Sequence, residues 1–255
     1  MKSYLDVAKT AAKKAGDMVL KKYYKKEVSI EKKSDTSLVT EADKASEKII
    51  LEEIKKHFPD HAIVSEESPP SGSSDFKWFI DPIDGTTNFI RGSDHWCVSI
   101  GLCKGDHPLA AAIYVPARNE FFWAEVGKGA FLNGKRIQVS KNNDQDNSIM
   151  AIARSRTPDA MKRAGVYFQK TESKSYIPRM LGSFAYELCG LAMGEFDIIV
   201  SIKPHSWDIA AGILIALEAG AYCQVTRKSS DFLEDDMVIA NNEGNAKKLI
   251  ALIKS

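Results

Sequence analysis

The stretch Trp78–Arg91, WFIDPIDGTTNFIR, limits the folds open to this chain more than any other part of it. An apolar run, Trp78-Phe79-Ile80, ends in Asp81; Pro82 and Ile83 follow, then Asp84-Gly85-Thr86-Thr87-Asn88. The pattern predicts a strand that breaks into a turn and a helix start. Pro82 sets its own φ and offers no N–H, which places Asp81 and Asp84 on a stiff corner. Gly85 lets the backbone approach a ligand closely, and the N–H groups of Gly85, Thr86 and Thr87 can face an anion. Carboxylates able to hold Mg²⁺ beside donors able to hold phosphate point to a phosphate-cleaving site. A lone DxxDG is equally an ordinary Asp-rich turn, so the acids elsewhere in the chain carry the distinction.

Those acids stand in an alternating chain. Residues 3–24 read as a helix, with Leu5, Ala8, Ala12, Ala15 and Val19 at helical spacing. Lys21-Lys22 and Lys25-Lys26 read as its solvated face. Leu38–Asp43 opens a second helix running to about His57, and Thr40-x-x-Asp43 fits a helix-entry box. His61–Val64 is a short strand entering Ser65-Glu66-Glu67-Ser68, at the strand end where open α/β sheets keep ligands. Trp96–Cys103, Leu109–Val115, Glu120–Glu125 and Arg136–Ser140 read as an antiparallel meander, with Asn133-Gly134 as a hairpin signal. The polar run Lys141–Asn147 marks the seam between two structural halves, 1–145 and 146–255, of one domain spanning 1–255. Beyond it strands and helices alternate. Strands are expected at Ile149–Ala153, Phe196–Ile202, Tyr222–Thr226 and Met237–Ala240, and helices at Pro158–Phe168, Ser183–Met193, Trp207–Ala219 and Gly244–Ile253. That order argues a layered α/β sheet. Asp208 falls at a helix start, where an N-cap or dipole-compensating acid is the ordinary explanation, and His205 lies three residues earlier.

Composition narrows the classes. With 255 residues, 44% hydrophobic and 27% charged, the chain can bury a full core. A net charge of +1 gives no bulk electrostatic reason to bind nucleic acid or an anionic membrane. The four cysteines are scattered, form no CxxC pair, and suit a reducing compartment. No stretch nears the ~20 apolar residues of a membrane span, and the N-terminus MKSYLDVAKTAAKKAGD has no apolar signal-peptide core. A cytoplasmic protein is the expectation.

Glu66, Asp81, Asp84 and Asp208 all sit at strand ends or helix starts, where a sheet edge could gather them. Two carboxylates ~4 Å apart repel by roughly 4 kcal/mol at an effective dielectric near 20. Several such pairs would rival a domain's whole stability of ~5–15 kcal/mol. Convergence therefore requires a divalent cation, and all-oxygen ligation favours Mg²⁺ or Mn²⁺ over Zn²⁺.

Four blocks in order carry a resemblance: VTEAD at Val39–Asp43, SEES at Ser65–Ser68, DPIDGTTNF at Asp81–Phe89 and WDIAAGILIALEAGA at Trp207–Ala221. GKGAFLNGKRI at Gly127–Ile137 adds a fifth. Together they resemble the inositol monophosphatase family of Mg²⁺-dependent, lithium-sensitive phosphatases across nearly the whole chain. The resemblance implies a layered αβαβα sandwich of the inositol monophosphatase / fructose-1,6-bisphosphatase type and a homodimer. It implies two to three Mg²⁺ ions. Glu66, Asp81 and the Ile83 carbonyl would hold the first and Asp81, Asp84 and Asp208 the second, with Glu66 helping to place a weakly held third. Asp84, Gly85 and Thr86 would meet the phosphate, the latter two through backbone N–H groups. Thr86, linked to Asp43, would orient the metal-activated water that attacks phosphorus. This turns Asp43 from a helix cap into a catalytic partner as well.

Gly182 and Ser183 match the family's sugar-contacting loop, and the residues around Ser201–His205 match the other wall, with Asp208 beside it. Inositol-specific enzymes carry an acid at the position of Ser201. A serine there leaves room for other sugar or polyol phosphates, fructose 1,6-bisphosphate or histidinol phosphate. The branch acting on phosphoadenosine phosphate usually has Lys after DPxDGT, where this chain has Thr87. A haloacid-dehalogenase-type phosphatase would need an aspartyl nucleophile where Pro82 stands. A different class altogether is a catalytically silent relative with a regulatory binding role, and the intact acid set argues against that silence.

Overall fold

The computed structural model describes residues 2–25, 29–32, 38–229 and 232–255; Lys26 lies outside them. Helix α1 (Tyr4–Lys25) buries Val7, Ala8, Ala11, Ala12, Ala15 and Val19, while Lys21 and Lys25 are exposed. Strands β1 (Ile30–Lys32) and β2 (Leu38–Thr40) pair antiparallel. Leu38 and Val39, read as part of the segment that opens the second helix with Thr40 as its cap, lie ahead of that helix. The β-branched Val39 and Thr40 join this ladder instead, and α2 (Glu41–His57) starts at the Thr40 cap. The expected box is present: Asp43 Oδ2 accepts from Thr40 N at 2.8 Å, and Thr40 Oγ1 accepts from Ala42 N at 3.1 Å.

A seven-stranded sheet follows, built from β3 (Ala62–Ser65), β4 (Phe76–Asp84), β5 (Cys97–Lys104), β6 (His107–Val115), β7 (Glu120–Glu125), β8 (Gly129–Leu132) and β9 (Lys135–Arg136), in that spatial order. Only β3 and β4 are parallel. The short helix α3 (Thr86–Arg91) leaves the end of β4. The expected strand Arg136–Ser140 is corrected: Asn133-Gly134 does turn a hairpin, but it joins β8 to β9. Ile137 N still bonds Ala130 O of β8, but by Val139 the backbone has turned away, its N–H bonding Ala219 O.

The second half gives β10 (Ile149–Arg154), α4 (Pro158–Glu172), β11 (Ile177–Arg179), α5 (Phe184–Ala192), β12 (Ile198–Ile202), α6 (Ser206–Glu218), β13 (Tyr222–Arg227), β14 (Asp236–Ala240) and α7 (Glu243–Lys254). Its strands form a mixed sheet ordered β11-β10-β12-β14-β13. Strand β11, only three residues long, has no sequence signal beyond Ile177.

The elements stack as helix pair, sheet, helix pair, sheet, helix pair, the layered αβαβα sandwich expected. Helices α1 and α2 cover one face of the seven-stranded sheet, with Ile50 and Ile54 against Trp78 and Ile100. Helices α5 and α6 fill the space between the two sheets, and α4 and α7 cover the outer face of the second. Gly101 on β5 permits a close approach of α6 backbone to the sheet. A Cβ there would lie 2.8 Å from Ala211 N of α6, so any side chain would push the helix off the sheet. Among the described residues no helix is long and apolar enough to cross a membrane.

Candidate active site

Alternation along a strand puts residues three apart on opposite faces, so an unbroken β4 would separate Asp81 from Asp84. The ladder with β5 is not unbroken: Asp81 pairs with Ser99 and Asp84 with Cys97, three residues against two. Pro82, lacking an N–H, sits in this bulge, and the extra residue returns Asp84 to the face of Asp81. The corner is braced by Ser46 Oγ of α2 on Pro82 O at 2.9 Å and by Ile83 N on Asp81 Oδ1 at 3.0 Å. Gly85 takes φ 89°, and a Cβ on it would stand 2.8 Å from His95 O, so only glycine fits the turn into α3.

Beside the corner, Thr86 Oγ1 lies 3.1 Å from the Ile83 carbonyl and 3.4 Å from Asp43 Oδ1. The other oxygen of Asp43 is committed to Thr40, accepting from its N–H and from its hydroxyl at 2.6 Å. Asp43 is thus both a cap and the partner of Thr86. Glu66 follows β3 and is set next to Asp81 by the parallel ladder, where Glu66 N bonds Ile80 O at 3.1 Å. Asp208 enters from the opposite half at the start of α6, accepting from His205 N at 3.1 Å.

Glu66, Asp81, Ile83, Asp84, Gly85, Thr86, Gly182 and Asp208 all line one cleft of about 590 Å³. A second cavity of about 350 Å³ adjoins it and shares Asp84, Gly182 and Asp208. Among the described residues no three Asp, Glu, His or Cys side chains close into a coordination shell. The carboxylates of Asp81, Asp84 and Asp208 face one space, and these three and Asp43 accept from nearby N–H or O–H donors.

Their charge states carry the mark of that crowding. Asp81, 2% exposed, is pushed well above the usual carboxylate range by burial and then by Glu66, Asp84, Asp208 and Asp43. Burial raises Asp84 to about 6 against the pull of its hydrogen bonds from Ser183, Ala185 and Phe184. Asp43 also reaches about 6, again through burial, with Glu66 adding to it and the Thr40 bonds opposing.

The second half supplies the wall expected at Gly182 and Ser183, fastened by contacts that the sequence did not foresee. Asp84 accepts from Ser183 Oγ at 2.8 Å, Phe184 N at 3.1 Å and Ala185 N at 2.7 Å. Glu187 accepts at Oε1 from Leu181 N at 2.7 Å and Gly182 N at 3.1 Å, and Asn88 Nδ2 holds Leu181 O at 2.9 Å. Burial raises Glu187 to about 8 against those two bonds, with Asp84 adding to it. Arg154 and Arg156, at the end of β10, line both cavities. Their position just past an apolar strand was the available signal.

The structure does not bring Ser201 to the cleft. It sits inside β12, 1% exposed, paired with Ala153 and Met237 and lining neither cavity. At that end His205 reaches the cleft and stacks on Trp207 at 4.8 Å, while the side chain of Ser201 stays within the sheet.

Buried acids gathered on one cleft, beside a turn rich in backbone donors, belong to a phosphatase. The chain is a member of the inositol monophosphatase family, whose family model matches residues 1–255, and that family is metal dependent. It is 39% identical to inositol monophosphatase 2 of Solanum lycopersicum over 229 residues, 86% of each chain. It is equally 39% identical to a fructose-1,6-bisphosphatase/inositol-1-monophosphatase of Aquifex aeolicus over 226 residues, covering 86% of this chain and 84% of the relative. Among solved structures, the extragenic suppressor protein suhB of Bartonella henselae superposes with a TM-score of 0.92 at 31% identity, covering 100% of this chain and 99% of that one.

Proposed function

We propose that residues 1–255 act as one phosphatase domain, an Mg²⁺-dependent phosphomonoesterase for inositol monophosphate or a related small sugar or polyol phosphate. The observation that carries this reading is the convergence of Glu66, Asp81, Asp84 and Asp208 on one cleft at the bulged end of β4, with Thr86 held beside them by Asp43. The donor set fits a hard divalent ion: oxygen only, buried, and destabilised by its own charge until a cation arrives. Glu66, Asp81, the Ile83 carbonyl, Asp84 and Asp208 would hold two to three Mg²⁺ ions, with Mn²⁺ an acceptable substitute. When bound, such ions neutralise phosphate charge and acidify water.

The chain's own groups do the positioning. Asp43, anchored by Thr40 through one oxygen, keeps the other turned to Thr86. With its proton directed to Asp43 or the Ile83 carbonyl, Thr86 Oγ1 offers lone pairs to an attacking water. The N–H groups of Gly85 and Thr86 take the phosphate, and Gly182 and Ser183 face the alcohol that leaves. Charge neutralisation and positioning suffice for this class of transfer.

A cytoplasmic homodimer and lithium sensitivity belong to the same reading, which requires neither nucleic acid nor membrane. A regulatory binding role could accompany catalysis, but the complete acid set speaks against its replacing catalysis. The test is phosphate release from inositol 1-phosphate, fructose 1,6-bisphosphate, histidinol phosphate and phosphoadenosine phosphate in Mg²⁺ against EDTA. Metal-dependent release from at least one sugar or polyol ester is expected; none from any would defeat the proposal.

A further inference from the structure

Strand β5 turns Cys97, Ser99 and Gly101 to one face, since alternate residues of a strand share a side. That face meets α6: a Cβ on Gly101 would lie 2.8 Å from Ala211 N, and Cys97 packs in one cluster with Ala211 and Leu214. Across the ladder, Cys97 is paired with Asp84 and Ser99 with Asp81. Cys97 Sγ lies 3.7 Å from Asp84 Oδ2. Ser99 is 0% exposed, and among the described residues its Oγ has no hydrogen-bond partner.

A buried hydroxyl left unpaired is unfavourable and calls for a reason. Size is one: α6 is pressed against this face at Gly101, and a small side chain suits the gap. Alanine would serve that purpose without a hydroxyl. The other reason lies across the ladder. Directly opposed residues of an antiparallel pair have Cβ atoms about 4.5–5.5 Å apart, so rotation of Ser99 about χ1 between staggered positions brings Oγ within reach of the Asp81 carboxylate. Asp81 Oδ1 accepts from Ile83 N at 3.0 Å. A carboxylate has about four acceptor sites, which leaves room for a second donor as well as a cation. The other acids beside the bulge follow the same pattern. Asp84 is oriented by the hydroxyl of Ser183 and Asp43 by that of Thr40; Ser99 is the hydroxyl that faces Asp81.

We infer that Ser99 is a positioning residue of the candidate metal site, its hydroxyl donating to the carboxylate of Asp81 and fixing the orientation in which that carboxylate meets a divalent cation. The inference rests on the metal-dependent phosphatase reading and deepens it at one ligand.

The test compares wild type, Ser99→Ala, Ser99→Cys and Ser65→Ala in two measurements that need no substrate. One is Mn²⁺ uptake, read from loss of the free-ion signal in electron paramagnetic resonance; the other is melting temperature in EDTA. Ser99→Ala should bind Mn²⁺ about 10- to 100-fold more weakly, as for the loss of an outer partner of a metal ligand. Its melting temperature in EDTA should stay level or rise, because an unpaired buried hydroxyl has been removed. Ser99→Cys keeps a small donor and should recover part of the affinity. Ser65 Oγ is also buried and unpartnered, but Ser65 is paired with Ile80, whose side chain joins the core on the α1 and α2 side, away from Asp81. Ser65→Ala should therefore bind Mn²⁺ as wild type does. A loss of affinity in Ser99→Ala that comes with a lower melting temperature in EDTA makes Ser99 a packing residue and overturns the inference, as does an equal loss in Ser65→Ala. Wild-type uptake matched by Ser99→Ala defeats the inference alone; wild type that takes up no Mn²⁺ defeats the metal-site reading and the inference with it.

Discussion

Ser183 Oγ lies 2.8 Å from Asp84 Oδ2, although the two residues are 99 positions apart in the chain. With the N–H groups of Phe184 and Ala185 it fastens a carboxylate of the first half to the start of α5 in the second. The hydroxyl therefore orients a candidate metal ligand. Ser183→Ala should weaken Mg²⁺ activation about 10- to 100-fold, the usual effect of losing an outer partner of a ligand. An Mg²⁺ titration of phosphate release measures it, and unaltered half-activation would show that the bond does no positioning.

Asp84→Asn separates charge from hydrogen bonding. The single amide oxygen can stand in for Oδ2 and still accept from Ala185 N and Ser183 Oγ, leaving Phe184 N without its acceptor, so the fold should survive with a loss of about 1–3 kcal/mol. Turnover should vanish, because a neutral amide is a poor Mg²⁺ ligand. Circular dichroism with a phosphate-release assay checks both halves of this statement; full activity would remove Asp84 from the site.

Glu187 holds Leu181 N and Gly182 N beneath the turn that carries Ser183. Glu187→Leu takes the acceptor from two partly buried N–H groups, at about 1–3 kcal/mol in total, and should loosen the turn enough to raise KM. Glu187→Gln keeps an acceptor oxygen and should stay near wild type. Equal damage from both substitutions would mean that the charge, not the hydrogen bonds, matters.

The raised carboxylates give the metal-free protein a defined pH response. Folded Asp43 and Asp84 hold protons to about 6, Glu187 to about 8, and Asp81 well above the usual range. In the unfolded chain the same groups ionise near ~4. From ~4 upward the folded state binds more protons, so stability falls as pH rises through these values. Melting temperature in EDTA should drop between about pH 5 and about pH 8, and Glu187→Gln should flatten the upper part of that window. Saturating Mg²⁺ should reverse the trend, since it binds the ionised acids. A melting temperature that climbs with pH in EDTA would contradict the assignment.

Lithium offers an independent check. If Mg²⁺ ions occupy the acid cleft during turnover, a small monovalent cation that replaces one of them cannot supply its charge. Inhibition by LiCl but not by equal KCl is expected, read as phosphate release at fixed Mg²⁺. Equal responses to the two salts would leave only ionic strength at work.

Much of the fold could be read locally. The periodic apolar positions of α1, the Thr40–Asp43 box, the Asn133-Gly134 hairpin and the strand–helix alternation after Ser148 are short-range patterns, and they place most elements to within a few residues. What escaped was of another kind. Strands β2 and β11 are three residues long, and pairing across space, not propensity, makes them strands. The buried face of α2 includes Asp43, Ser46, Glu47 and Glu53, polar residues that no hydrophobic pattern assigns to an interior. Each has a distant partner: Thr86, the Pro82 carbonyl, Ser68 and the lysines of α1's face.

By itself the sequence determined which residues were available for chemistry, because Asp, Gly and Pro at the end of an apolar run have fixed local consequences, and because the order of the motif blocks identifies the family. Tertiary structure alone decided which of them share a space. The bulge that returns Asp84 to the face of Asp81 depends on the β5 ladder. The grip of Ser183 on Asp84, the burial of Ser201 and the placement of Arg154 and Arg156 at the cleft all depend on how two sheets pack against α5 and α6. Local patterns encode dihedral angles and faces, whereas proximity between residues a hundred positions apart is set by the collective packing of layers.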